Sequence, residues 1–194
     1  MRAEIELRHQ TPYLPFSEKP DQIDISGFDV LSYILPEQMD KILESLSEKV
    51  QLKNFDYVLI NMNGGKYLFD KLAKLQNYTT EPVLIEYHRP EGGFGAKIDI
   101  PIPEKVKSKK CLVVDDIYDT GGVLKAIMSE LSDDSEAVVI ITKKDIQNQI
   151  PINNLSIGVR IDNVWIGGCG MDLGKEGEKD IFRNYPGIVV NGTP

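Results

Sequence analysis

Three carboxylates, Asp115, Asp116 and Asp119, fall within five residues of Cys111-Leu112-Val113-Val114-Asp115-Asp116-Ile117-Tyr118-Asp119-Thr120-Gly121-Gly122-Val123-Leu124. Adjacent like charges are costly unless a cation or a polyhydroxylated group meets them. Carboxylates accept from sugar hydroxyls, and Mg²⁺ takes oxygen ligands and substrate phosphates. The flanks say where these groups point. Cys111 to Val114 is apolar and β-branched, which predicts a strand buried on both faces. Val123 to Leu131 then carries Leu124, Ile127, Met128 and Leu131 at helical spacing. A strand, an acidic glycine-bearing turn and a helix send backbone N–H groups out of a sheet's carboxyl edge, where they take a phosphate. Gly121 and Gly122 permit positive φ and close approach to an anion. The chemistry expected of the stretch is the binding of a sugar phosphate together with Mg²⁺.

Competing motifs fail on spacing. A P-loop requires a Gly-Lys-Ser/Thr ending, which is absent. A haloacid-dehalogenase nucleophile strand needs carboxylates two apart, whereas these are adjacent and then three apart. A plain acidic turn describes Asp133-Asp134 well, but leaves the strand, both glycines and Asp119-Thr120 unexplained.

The stretch Val113 to Gly122 resembles the PRPP-binding motif of the type I phosphoribosyltransferases. The resemblance runs from about Leu35 to Val190 and is closest to the enzymes for 6-oxopurines (hypoxanthine, guanine, xanthine). It implies that Asp115 and Asp116 hold ribose hydroxyls and that Thr120, Gly121, Gly122 and Val123 hold the 5′-phosphate. Asp119 is then the general acid/base at the ring nitrogen of the base. Lys143, after the apolar run Ala137 to Thr142, is expected at the purine O6, with Lys144 left to solvent.

The segment Asn163 to Asp172 resembles the family's base-stacking segment. Trp165 would stack on the purine, the Ile166 backbone would meet its edge, and Asp172 would approach metal-bound pyrophosphate. Asn63-Gly64-Gly65 matches the pyrophosphate loop, with Asn63 where a Lys or Arg is usual. Asp180-Ile181-Phe182-Arg183 resembles the late arginine segment that reaches pyrophosphate, after a longer Gly174–Glu178 insertion. Val123 stands where a Thr is common, a loss of about 1 kcal/mol if a hydroxyl is missing. The implied cofactor is Mg²⁺, held by Asp172 and, through substrate, by Asp115 and Asp116. The implied partners are PRPP, a purine base and further copies of the chain in a homodimer or homotetramer.

Composition sets the outer limits. A length of 194 residues suits one domain, with residues 1–30 as an arm or part of a hood and 31–194 as the body. A net charge of −8 argues against a general nucleic-acid surface, but not against a phosphorylated substrate. No signal-like opening and no membrane-length apolar run are present, so a cytoplasmic protein without a membrane partner is expected. The sequons at Asn77 and Asn154 are then idle. The two cysteines, Cys111 and Cys169, make no disulfide framework, and with only His9 and His88 available neither is expected as a nucleophile.

The elements expected to position these groups alternate. Ala3 to Leu7 alternates as an edge strand would, before Pro12, Pro15 and Pro20. Pro36 to Val50 predicts a helix with Leu35, Met39, Ile42, Leu46 and Val50 in one stripe. Strands are expected at Tyr57–Asn61, Val83–Tyr87, Lys97–Ile100, Ile157–Ile161, Val164–Ile166 and Ile188–Val190, with a helix at Lys66–Leu75. The glycine-rich loop from His88 to Ala96 is expected as a lid. The fold class is α/β: a doubly wound, mainly parallel sheet of the phosphoribosyltransferase type I kind with a small hood from the terminal segments. Three alternatives stand beside the enzyme reading. They are a PRPP- or purine-nucleotide-sensing regulator on the same fold, a phosphoribosyltransferase for another base, and a Mg²⁺-dependent phosphohydrolase.

Overall fold

The computed structural model describes residues 11–17, 20–25, 28–62, 64–90, 96–144, 149, 151–173 and 181–191. Its strands are β1 (Tyr13–Leu14), β2 (Gln22–Ile25), β3 (Phe28–Ile34), β4 (Tyr57–Asn61), β5 (Val83–His88), β6 (Lys97–Ile100), β7 (Cys111–Tyr118), β8 (Glu136–Lys143), β9 (Leu155–Ile161), β10 (Ile166–Gly167) and β11 (Ile188–Asn191). Its helices are α1 (Pro36–Lys49), α2 (Gly65–Gln76), α3 (Glu104–Lys107) and α4 (Gly122–Met128).

Seven strands form the main sheet in the order β1-β9-β8-β7-β4-β5-β6. All neighbours are parallel except the edge pair β5 and β6. The sequence reason is the run of apolar residues in the central strands, which only two covered faces can bury. On one face Leu43 and Leu46 of α1 and Leu68 and Leu72 of α2 pack on Ile60, Leu112, Val114 and Ile140. On the other, Leu124 and Ile127 of α4 pack with Leu59, Ile85, Val113 and Val139. Helices on both faces make the sheet doubly wound, as its residue pattern requires.

Helix α1 starts where Pro36 fixes the first turn, and the Leu35 N–H donates to Gln38 Oε1 at 2.9 Å. Leu35 is therefore the cap and not the first member of the stripe. Gly65 opens α2 because nothing larger fits: a Cβ there would stand 2.2 Å from the Val114 carbonyl oxygen. This close approach seats α2 against the central strand.

A second, antiparallel sheet of four strands runs β10-β11-β3-β2. Its small core joins Val30, Leu173, Phe182 and Val189, with Phe28 edge-on to Phe182 at 6.0 Å between ring centres. This is the hood. It joins a strand from near the start of the chain to one from near its end.

Several boundaries differ from expectation. β7 does not end at Val114 but continues through both aspartates to Tyr118, paired along that length with β8. Its pairing with β4 stops at Val114, because β4 ends at Asn61. The aspartates therefore lie in a strand with a neighbour on one side and a gap on the other. β3 carries no strand signal in the sequence because it has no clean alternation: Val30, Ser32, Tyr33 and Ile34 are all buried. The expected strand Val164–Ile166 is instead the pair Ile166–Gly167, and the connection Pro101–Lys110 holds the short α3. The expected strand at Ala3–Leu7 and most of the 88–96 loop lie outside the described residues.

Candidate active site

The gap beside β7 is filled by Asn61, whose side chain was not among the expected site residues. Its Nδ2 donates to Asp115 Oδ2 at 3.2 Å and to the Tyr87 carbonyl at 3.0 Å, and its Oδ1 accepts from Tyr87 N–H at 2.9 Å. One buried amide thus ties three strands together at the carboxyl edge of the sheet. Asp115 is buried, and its Oδ1 accepts from the Asp116 N–H at 3.0 Å. Burial, then the neighbouring Asp116 charge, raises the Asp115 carboxyl well above the usual carboxylate range. Burial likewise raises Asp116. Asp116 lies against Gly64, where a Cβ would meet its carboxylate carbon at 2.0 Å. Gly64 is therefore needed for the aspartate to lie across the start of α2.

Asp119, Thr120, Gly121, Gly122 and Val123 follow in one turn. Gly121 takes φ 86°, which only glycine adopts without strain, and leads directly into α4. The first N–H groups of α4 have no partner within the helix. Behind the turn, Gln149 Nε2 donates to the Asp119 carbonyl at 2.7 Å and the Thr142 hydroxyl donates to the Tyr118 carbonyl at 2.9 Å. In front of it, Arg89 Nη2 donates to Asp119 Oδ2 at 3.0 Å and to Thr120 Oγ1 at 3.1 Å. Arg89 and the turn from Asp119 to Val123 surround a cleft of about 220 Å³ that Asp115, Asp116 and Gly64 also line.

A second cleft of about 230 Å³ opens on the other side of the strand end. It is lined by Lys143, Trp165, Ile166, Met171, Asp172 and Arg183, and it shares Asp116, Ile117 and Asp119 with the first. Trp165 is 64% exposed, so it is not a core residue. Its Nε1 donates to the Leu173 carbonyl at 2.7 Å, which fixes the ring, and Lys143 Nζ stands 5.6 Å from the ring centre. Desolvation lowers the Lys143 ammonium, the Asp119 charge opposes that shift, and Arg89 adds to it. Lys144 points elsewhere, with Nζ 5.0 Å from the centre of the Tyr13 ring.

Arg183 Nη1 donates to the Gly170 carbonyl and Nη2 to Asp172 Oδ2. Gly170, at φ 96°, passes so close to α2's first turn that a Cβ would stand 2.9 Å from the Gly64 carbonyl oxygen. The hood loop is thereby seated on Gly64, at the start of α2. Asn63 itself and Asp180 lie outside the described residues.

The structure thus gathers Asp115, Asp116, Asp119, Thr120, Gly121, Gly122, Val123, Gly64, Lys143, Trp165, Ile166, Asp172 and Arg183 on two adjoining clefts. Gly65 stands behind them as a packing residue. Asn61 and Arg89 are additional members, and Gln149 supports the turn from behind. The cysteines play no part: both are buried, and burial pushes Cys111 up to about 11 and Cys169 up to about 12. Glu86, His88 and Asp99, on β5 and β6, bring one donor atom each within 4.8 Å of one another, but none of them lines either cleft.

A mainly parallel doubly wound sheet, a small antiparallel hood and a ligand cleft at the strand ends define the class. The chain has the type I phosphoribosyltransferase fold, and it resembles solved structures of hypoxanthine phosphoribosyltransferases. A hypoxanthine-guanine phosphoribosyltransferase from Bacillus anthracis is 18% identical with TM-score 0.64, covering 89% of this chain and 98% of that one. A variant hypoxanthine phosphoribosyltransferase from Trypanosoma cruzi, complexed with the product IMP, is 18% identical with TM-score 0.65, covering 90% and 93%. An aspartate-to-glutamate HPRT variant is 17% identical with TM-score 0.66, covering 82% and 94%. No protein-family model and no curated protein matches the chain. No helix among the described residues is long and apolar enough to cross a membrane.

Proposed function

We propose that the protein transfers the phosphoribosyl group of PRPP to a 6-oxopurine base, giving the purine nucleoside 5′-monophosphate and pyrophosphate. One observation carries the reading. Two clefts of different chemistry, one acidic with a glycine turn and one aromatic with a lysine, meet at Asp116, Ile117 and Asp119. Such a junction suits a ligand with a sugar phosphate at one end and a base at the other. The fold shared with hypoxanthine phosphoribosyltransferases supports it.

In this reading Asp115 and Asp116 accept hydrogen bonds from the ribose hydroxyls. Thr120 and the N–H groups of Gly121, Gly122 and Val123 hold the 5′-phosphate and so fix C1′. The bond from C1′ to pyrophosphate loosens toward an oxocarbenium-like centre, as in glycoside cleavage. Asp119 takes or gives the proton at the base's ring nitrogen. Trp165 stacks on the purine, Lys143 donates to O6, and the Ile166 backbone meets the edge of the base. Gly64 and Arg183 face the pyrophosphate, with Asp172 beside it.

The donor set fits Mg²⁺ carried in by substrate. Burial raises both β7 carboxyl groups, so a divalent cation near the ribose hydroxyls favours their ionised forms. Asp172 is a further oxygen donor on the adjoining wall. When bound, Mg²⁺ neutralises charge on the leaving pyrophosphate.

The span of one ligand across both clefts is tested by titrating inosine 5′-monophosphate into Thr120→Ala and Lys143→Gln. Both variants are expected to weaken the nucleotide, because each removes a contact at an opposite end. Unchanged binding in either would separate the clefts and overturn the reading. A regulator that binds the same ligands without turnover is the second reading, favoured by Val123, which brings no hydroxyl to the phosphate cradle.

A further inference from the structure

The acidic cleft holds three carboxylates, Asp115, Asp116 and Asp119, and one cation among its described lining residues, Arg89. A phosphate monoester adds nearly two more negative charges at neutral pH. The placement of that single cation therefore decides how well the cleft accepts the ester. Arg89 follows β5 directly, and its side chain is half exposed. Both of its bonds to the turn, to Asp119 Oδ2 and Thr120 Oγ1, come from one nitrogen, Nη2, of a planar fork with five donors. That fork matches phosphate oxygens in two-point contact.

An exposed ion pair such as Arg89–Asp119 is weak and exchanges readily for a stronger anion. Asp119 also faces the second cleft, where Lys143 feels its charge. A residue that binds Asp119 on one side and Thr120 on the other thus stands between the phosphate seat and the carboxylate that faces the base.

We infer that Arg89 is the cleft's cationic phosphate ligand and a positioning residue for Asp119. Without a phosphate group it pairs with Asp119 and Thr120; when a pentose 5-phosphate arrives, the fork turns onto the phosphate oxygens and releases the Asp119 carboxylate to the base. The inference rests on the proposed phosphoribosyl reading and adds a device to it: the carboxylate becomes available only once the sugar phosphate is seated.

The test compares inosine 5′-monophosphate with inosine, by calorimetric titration of the full chain and of its Arg89→Gln and Arg89→Lys variants. The half-exposed side chain leaves folding intact. Arg89→Gln is expected to weaken the nucleotide about tenfold or more while leaving the nucleoside within about twofold, because only the nucleotide carries the charged acceptor. Arg89→Lys, a point charge without the fork, recovers part of the loss. Equal nucleotide binding by Arg89→Gln and the wild type would overturn the inference and leave the proposed function standing. Equal losses for nucleotide and nucleoside would show a structural role and also overturn it. A wild-type protein that does not bind the nucleotide would remove both.

Discussion

The two clefts differ in how the chain builds them. The acidic cleft comes mostly from one unbroken stretch, Asp115 to Leu124, closed by Asn61, Gly64, Tyr87 and Arg89. The aromatic cleft is assembled from four separate places in the chain: the end of β7, the end of β8, the segment 165–172, and Arg183. A strand-turn-helix unit fixes the first locally, since β7 gives the direction, Gly121 the turn and α4 the continuation. The second exists only because β3 and β11 pair across most of the chain and carry Trp165 and Asp172 to Lys143. The difference teaches that, under the proposed function, phosphate capture is a local property, whereas base selection depends on the hood.

The comparison is sharpened first by Asp119, the one charged side chain apart from Asp116 that lines both clefts. Asp119→Asn is expected to lower kcat by ~10²–10⁴ with PRPP affinity nearly unchanged, as removal of a general acid/base does. Steady-state kinetics with calorimetry checks the split.

Next in size is Gly65→Ala. The new Cβ would meet a backbone oxygen of β7 at 2.2 Å, so α2 must move off the sheet. A loss of about 3 kcal/mol, at the upper end for overpacking, is expected in a denaturant titration. A near-normal midpoint would mean that the helix does not sit where the structure places it.

Trp165→Ala breaks the aromatic cleft alone. The ring is largely exposed, so stability should hold, while stacking worth about 1–3 kcal/mol is lost from base binding. PRPP affinity stays, and loss of both affinities would join two clefts that the account separates.

The smallest effect concerns β7 itself. Burial raises the Asp115 and Asp116 carboxyl groups in the folded state above their unfolded range of about 3.9. Between that range and the raised values the folded protein holds more protons than the unfolded one, so stability falls as pH rises through this window. Asp116→Asn removes one raised group. It should increase the neutral-pH Tm of the ligand-free protein, by about 2–4 °C for each kcal/mol gained, and flatten its decline with pH. A lowered Tm at neutral pH contradicts the assignment.

Legibility follows the same division. The stretch from Asp115 to Val123 could be read because its chemistry is contiguous, and the structure moves only the strand end, from Val114 to Tyr118. Lys143 and Trp165 could be placed by resemblance, and they stand on one cleft. Asn61, Arg89 and Gln149 could not be read. An asparagine ending a strand, an arginine after one and an isolated glutamine acquire meaning only from partners 26 to 54 residues away. β3 is not legible in the sequence because both its faces are covered, which erases the period of two, and its partner β11 is more than 150 residues away. The expected lid between His88 and Ala96 and the expected role of Asn63 concern residues outside the described ones.

The central claim is that the two clefts act as one site for phosphoribosyl transfer. Its most direct test is pyrophosphate release from PRPP and Mg²⁺ with hypoxanthine, guanine, xanthine or adenine in turn. The account predicts turnover with at least one 6-oxopurine, little with adenine, and almost none in Asp119→Asn. Binding of PRPP or nucleotide with no release for any base would contradict it and leave a sensor built on the same fold.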